Sequence, residues 1–329
     1  MSGTSFASRS PRTRLLCGLA LTVTLGFAVA RTADTGKSAG ESAWMAPLAA
    51  RSLLLDVAAR DGGLVAVGER GHILVSRDGG ASWTQAEVPT RALLTGVFMH
   101  DGQLGWAVGH DAVAVRTRDG GRTWERVNYA PENEKPLLDV WFADAQRGLA
   151  VGAYGELLAT SDAGATWEAR PVNGGDDFHL NQIAAAQDGT LYLAAEAGRL
   201  YRSADGGVTW ESLPSPYQGS FFGVLPLSDG SLLAFGLRGN LYRSADGGRT
   251  WTRIDTGTVA TLNAALELGQ GRFVVGGMAG TLLWGDSASG TVRKQELPGR
   301  KAIAAMARAG DQKLLLFGEG GVQDVEIPR

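Results

Sequence analysis

An eight-residue segment that recurs five times at nearly constant spacing constrains this chain more than any other feature. It reads SRDGGASW at 76–83, TRDGGRTW at 117–124, TSDAGATW at 160–167, SADGGVTW at 203–210 and SADGGRTW at 244–251. The closing tryptophans Trp83, Trp124, Trp167, Trp210 and Trp251 are separated by 41, 43, 43 and 41 residues. A period in this range is the signature of a repeat architecture in which each unit buries its apolar face only against its neighbours.

Ahead of each segment lie two short apolar runs broken by a glycine turn: LVAVGERGHILV, GWAVGHDAVAVR, GLAVGAYGELLA, LYLAAEAGRLYR and LLAFGLRGNLYR. Runs of this length, rich in Val, Leu, Ala and Tyr, read as hairpin strands. A further apolar strand precedes them, as at 95–99, 138–142 and 221–225, and a fourth follows the tryptophan. Four antiparallel strands in about 42 residues make one propeller blade.

A sixth, degraded copy runs through FVVGGMAGTLLWGDSASG, with Trp284 ahead of the turn and no closing tryptophan; a seventh starts at Lys301 and ends after three strands. The expected fold is therefore an all-β, seven-bladed β-propeller of four-stranded antiparallel blades over residues 44–329. Pairing of the N- and C-terminal strands is expected to close it, with the segment around Trp44 to Leu48 completing the last blade and leaving no free sheet edge.

The repeated segment has a mechanical reading. Asp78, Asp119, Asp162, Asp205 and Asp246 can accept bonds from backbone N–H groups of the turn between strands three and four, and the leading Ser or Thr hydroxyl braces the same turn. Each tryptophan then buries its ring between neighbouring strands. These residues are scaffold.

The 31 basic and 34 acidic residues give a net charge of −3, which gives no support to nucleic-acid binding. Arg9, Arg12 and Arg14 precede an apolar run over 15–30 that ends Ala-Val-Ala, so residues 1–30 read as a cleaved signal peptide and 31–43 as a linker. An uncleaved N-terminal membrane anchor is the alternative, although a 16-residue run is shorter than the roughly 20 that span a bilayer. Cleavage leaves 28 basic and 34 acidic residues and removes Cys17, the only cysteine. The expected location is the periplasm or a lumen, as a monomer peripheral to the membrane.

The turn segments resemble the BNR or Asp-box repeat of sialidases, sortilin-type receptors and photosystem II assembly and stability factors. The spacing, the VGxxGxLLxS element and the exported seven-blade layout are most similar to the last of these, over nearly all of residues 45–328. The resemblance implies a non-catalytic propeller that binds a membrane-protein complex or its subunits and assists assembly or stability, with no cofactor. The same resemblance supplies the rival reading, a secreted sialidase-like glycosidase or glycan-binding propeller. That chemistry needs a Tyr nucleophile with carboxylate partners and an arginine clamp. Tyr201 and Tyr242 instead hold equivalent repeat positions in LYRSADGG.

His72, His100, His110 and His179 show no metal-ligand spacing, and His72 reads as the end of a turn. The glycine runs precede strands, so they are neither phosphate loops nor dinucleotide fingerprints. Propeller topology places partner contacts on the face opposite the repeated turns. The candidates there are Glu69, Arg70, His110, Asp111, Tyr154, Glu196, Arg199, Arg238 and Glu319 from the turns between strands two and three, which break the repeat. Three long inter-blade connections, 128–136, 171–178 and 214–220, add Tyr129, Asp176, Asp177, Phe178 and Tyr217.

Overall fold

The computed structural model describes residues 31–32 and 42–328, so the expected signal peptide and most of the linker lie outside the described residues. The fold is a seven-bladed β-propeller. The inner strands of successive blades are Leu54–Arg60, Leu94–Met99, Leu137–Phe142, Leu180–Ala185, Phe221–Pro226, Leu262–Gly269 and Ile303–Arg308. The second strands are buried along their length, as in Gly105–Gly109, Gly148–Gly152, Leu191–Ala195 and Leu232–Gly236. Both their faces meet a neighbouring blade, so continuous apolar runs replace strict alternation.

Every inner strand bulges after its first residue, between Leu54 and Asp56 in the first blade and at the matching place in the other six. The bulge turns polar side chains toward the next blade. Thr95 Oγ1, Asn181 Nδ2 and Asn263 Nδ2 donate to the carbonyls of Leu137, Phe221 and Ile303 at 2.7, 2.7 and 2.9 Å. One residue further on, Asp56, Asp139 and Gln182 accept from the N–H groups of Val97, Ile183 and Val224 at 2.8, 3.0 and 2.8 Å. These bonds join neighbouring blades at the wall of the central channel.

The repeated turns share one geometry. In blade three, Thr160 Oγ1 donates to Asp162 Oδ1 at 2.9 Å and accepts from Gly164 N, while Asp162 accepts from the N–H and hydroxyl of Thr166. The same set recurs around Asp78, Asp119, Asp205 and Asp246. Hydrogen bonds led by the Ser82, Thr209 and Thr250 hydroxyls hold Asp78, Asp205 and Asp246 down at about 2. Each tryptophan crosses into the preceding blade. Gly121, beside Trp124, faces Val75 and Val65 of blade one, and Gly164, beside Trp167, faces Trp106 of blade two.

Ring closure differs from the expected strand exchange. The seventh blade has three strands, Ile303–Arg308, Lys313–Gly318 and Gln323–Glu326, and residues 44–48 form no strand on it. Blade one holds that segment instead. Ala43 donates its N–H to Val88 O at 2.9 Å, and the Gln85 side chain accepts from Ala46 N and donates to Trp44 O, both at 2.8 Å. The short turn that follows packs against blade seven, where Ala50 O accepts one backbone bond from Val322 N at 2.9 Å. Trp83 seals this seam, edge-on to Phe317 with ring centroids 5.7 Å apart. Residues 31–32 pair with the outer strand of blade three, Thr166–Ala169. Among the described residues no helix is long and apolar enough to cross a membrane.

Candidate partner-binding face

The turns between strands two and three and the connections between blades lie together on one face. In blades one, three, four and five the glycine ending the turn meets the carbonyl of the connection leaving its own blade. A Cβ on Gly198, at φ +75°, would lie 2.0 Å from Tyr217 O, and one on Gly155 would lie 2.1 Å from Asp176 O. Only glycine allows this approach, and it fixes loops 171–178 and 214–220 over their turns.

The candidate residues divide into groups. Tyr154, exposed at 56%, holds a left-handed backbone and sets its ring edge-on to His179, centroids 4.9 Å apart. His179 Nδ1 stands 3.8 Å from Glu196 Oε2, and the Arg199 guanidinium lies 4.9 Å over the Phe178 ring. Tyr154, Phe178, His179, Glu196 and Arg199 thus form one cluster on the rim of blades three and four. Beneath it, the Tyr201 hydroxyl donates to Asp176 Oδ2 at 2.9 Å and anchors the loop. Asp177 is exposed in the same loop.

Tyr217 belongs to blade five, where it packs on Phe221 and Tyr242 at 6.0 and 6.4 Å. Arg70 and Glu69 stand in blade one, 4.0 Å apart, His110 and Asp111 in blade two, and Arg238 in blade five; Arg70, His110, Asp111 and Arg238 are exposed. The Arg126 guanidinium lies 4.6 Å over the Tyr129 ring in blade two. His72 ends its turn as expected, buried, with Nδ1 3.0 Å from Ser52 Oγ.

Three of the candidates share a use that the sequence hides. Glu69, Glu196 and Glu319 accept from the backbone N–H of Leu53, His179 and Ala302 at 3.3, 3.1 and 3.0 Å. Each caps the entry to its own blade's inner strand.

The central channel, about 550 Å³, is lined by all seven inner strands and carries the carboxylates Asp56 and Asp139 but, among the described residues, no arginine or tyrosine. Asp56 accepts from Val57 N and Val97 N, and Asp139 from Val140 N and Ile183 N. Burial pushes both carboxyls up, and the charge of Asp56 pushes Asp139 further. Sequence reading missed both residues because they interrupt strands that scan as apolar.

Comparison with known proteins adds the lineage. Residues 37–136 and 130–282 match the profile of the photosynthesis system II assembly factor YCF48. The chain belongs to the YCF48 family. The solved structure described as YCF48 bound to D1 peptide superimposes with a TM-score of 0.70 at 16% identity, covering 85% of this chain and 94% of that one. YCF48 from Cyanidioschyzon merolae gives 0.69 at 16% identity, covering 83% and 94%. The WD40 propeller domain of Doa1 gives 0.69 at 11% identity, covering 88% and 96%. At these identities the likenesses establish the fold alone. No curated protein matches the chain in sequence.

Proposed function

We propose that this YCF48-family chain is an exported, non-catalytic assembly factor that grips an exposed polypeptide segment of a membrane-complex subunit. Its grip is the rim cluster of blades three and four. The observation that carries this reading is the convergence of Tyr154, Phe178, His179, Glu196 and Arg199 on the face opposite the repeated turns. Aromatic rings flanked by a paired acid and base are the mixture a transient protein interface uses.

A family relative has been solved bound to D1 peptide, which supports a polypeptide ligand for this chain as well. The channel favours binding over glycoside hydrolysis, since its two carboxylates have neither a tyrosine nucleophile nor an arginine clamp beside them. The test is a crosslinking pull-down of the tagged full chain from intact membranes, with Tyr154→Ala/Arg199→Ala as the comparison. Recovery of a defined membrane complex, weakened in the variant, is expected. Turnover of a glycoside panel with no partner captured would contradict the proposal.

A further inference from the structure

The strand Gln323–Glu326 is the outer strand of blade seven, paired on one side with Lys313–Gly318. Alternate residues of such a strand direct their backbone groups outward. Ile327 N bonds inward to Gln312 O, whereas Val322 N bonds outward to Ala50 O. The outward positions are therefore 322, 324 and 326. Ala50 occupies the first rung of the absent fourth strand, and among the described residues nothing pairs with the rungs at Asp324 and Glu326.

Beside this edge runs a groove of about 620 Å³ toward blade one, lined by Trp83, Leu315, Val322, Lys313 and Asp324. Leu48, 63% exposed, heads the turn that places Ala50. We propose that this edge is a second docking site, separate from the rim cluster, and that it takes one extended segment of a partner polypeptide by β-strand addition.

Three observations select that occupant. Of the chain's own residues ahead of Ser42, residues 31–32 pair with blade three. A second copy is disfavoured because only Asp324 and Glu326 can form the new hydrogen-bonded pairs, so acid would face acid in any antiparallel register. Lys313 stands 3.3 Å from Asp324 and compensates it, while Glu326 is exposed and has no partner among the described residues. The fitting segment therefore carries a lysine or arginine opposite Glu326. Its intervening apolar residues lie on the side of Val325 and Ile327, which pack toward the blade-six core. Main-chain bonds supply affinity and these alternating side chains supply selectivity.

The probe is a blocked pentapeptide alternating lysine and valine, added to the full chain, with amide hydrogen exchange and fluorescence polarisation as readouts. Slowed exchange at the amides of Asp324 and Glu326 is expected, with no change at blades three and four. Glu326→Lys should weaken binding about tenfold and shift preference to a glutamate–valine peptide. Asp324→Pro removes an outward N–H while sparing the inner ladder and should also weaken binding. Unchanged exchange at both amides, equal binding of a peptide with a central proline, or concentration-dependent dimerisation protecting this edge would each overturn the proposal.

Discussion

Asp139 Oδ2 accepts a hydrogen bond of 3.0 Å from the backbone N–H of Ile183, one blade along. Its other oxygen accepts from Val140 N at 2.7 Å, and Gly96 leaves the room it needs, since a Cβ there would lie 2.9 Å from Asp139 Cα. One side chain thus ties two inner strands while standing near the like charge of Asp56.

That arrangement fixes the sign of a pH effect. The folded-state pKa of Asp139 is raised, so the folded protein holds a proton that the unfolded chain releases above about pH 4. Stability from this site falls as pH rises from there toward neutrality. Urea titrations across that range should show the decline, and Asp139→Asn should flatten it, although the amide loses one acceptor.

The repeated turns act in the opposite direction. Asp78, Asp205 and Asp246 sit at about 2 in the folded protein, below the unfolded carboxylate value. Their contribution is complete above about pH 4 and is lost as pH falls toward about 2. Together the two sets place maximal stability at weakly acid pH, which thermal unfolding from about pH 3 to about pH 8 measures.

Asp162→Ala removes the acceptor of Thr166 N, the Thr166 hydroxyl and the Thr160 hydroxyl. The expected loss is about 1 to 2 kcal/mol in chemical denaturation, with the fold retained.

Trp83→Ala opens the seam between the first and last blades. A loss of about 3 kcal/mol is expected, less for Trp83→Phe, which keeps a ring against Phe317. Amide exchange over Gln323–Glu326 should rise in the alanine variant before that of the inner strands.

The propeller was legible in the sequence because its period, its turn chemistry and its tryptophans all report the same local geometry in five copies. Closure was not, because strand complementation by Trp44 to Leu48 and capture of that segment by Gln85 and Val88 leave the same apolar pattern. The rim was legible in part. Tyr154 and Arg199 stand out as departures from the repeat, whereas Glu69, Glu196 and Glu319 also looked like departures and prove to cap inner strands. His179 and the channel carboxylates gave a weaker signal. Their partners are backbone groups or rings in other blades, and the repeat alignment does not bring those together.

The central claim, that the client meets the rim of blades three and four, is tested most directly by site-specific photocrosslinking. A photoreactive phenylalanine is placed at Tyr154, exposed at 56% on the rim, and in a second variant at Val208, exposed at 64% within a repeated turn on the opposite face. In intact membranes the account predicts a discrete adduct with a membrane-complex subunit from position 154 and none from 208. Adducts from 208 alone, or equally from both, would contradict it.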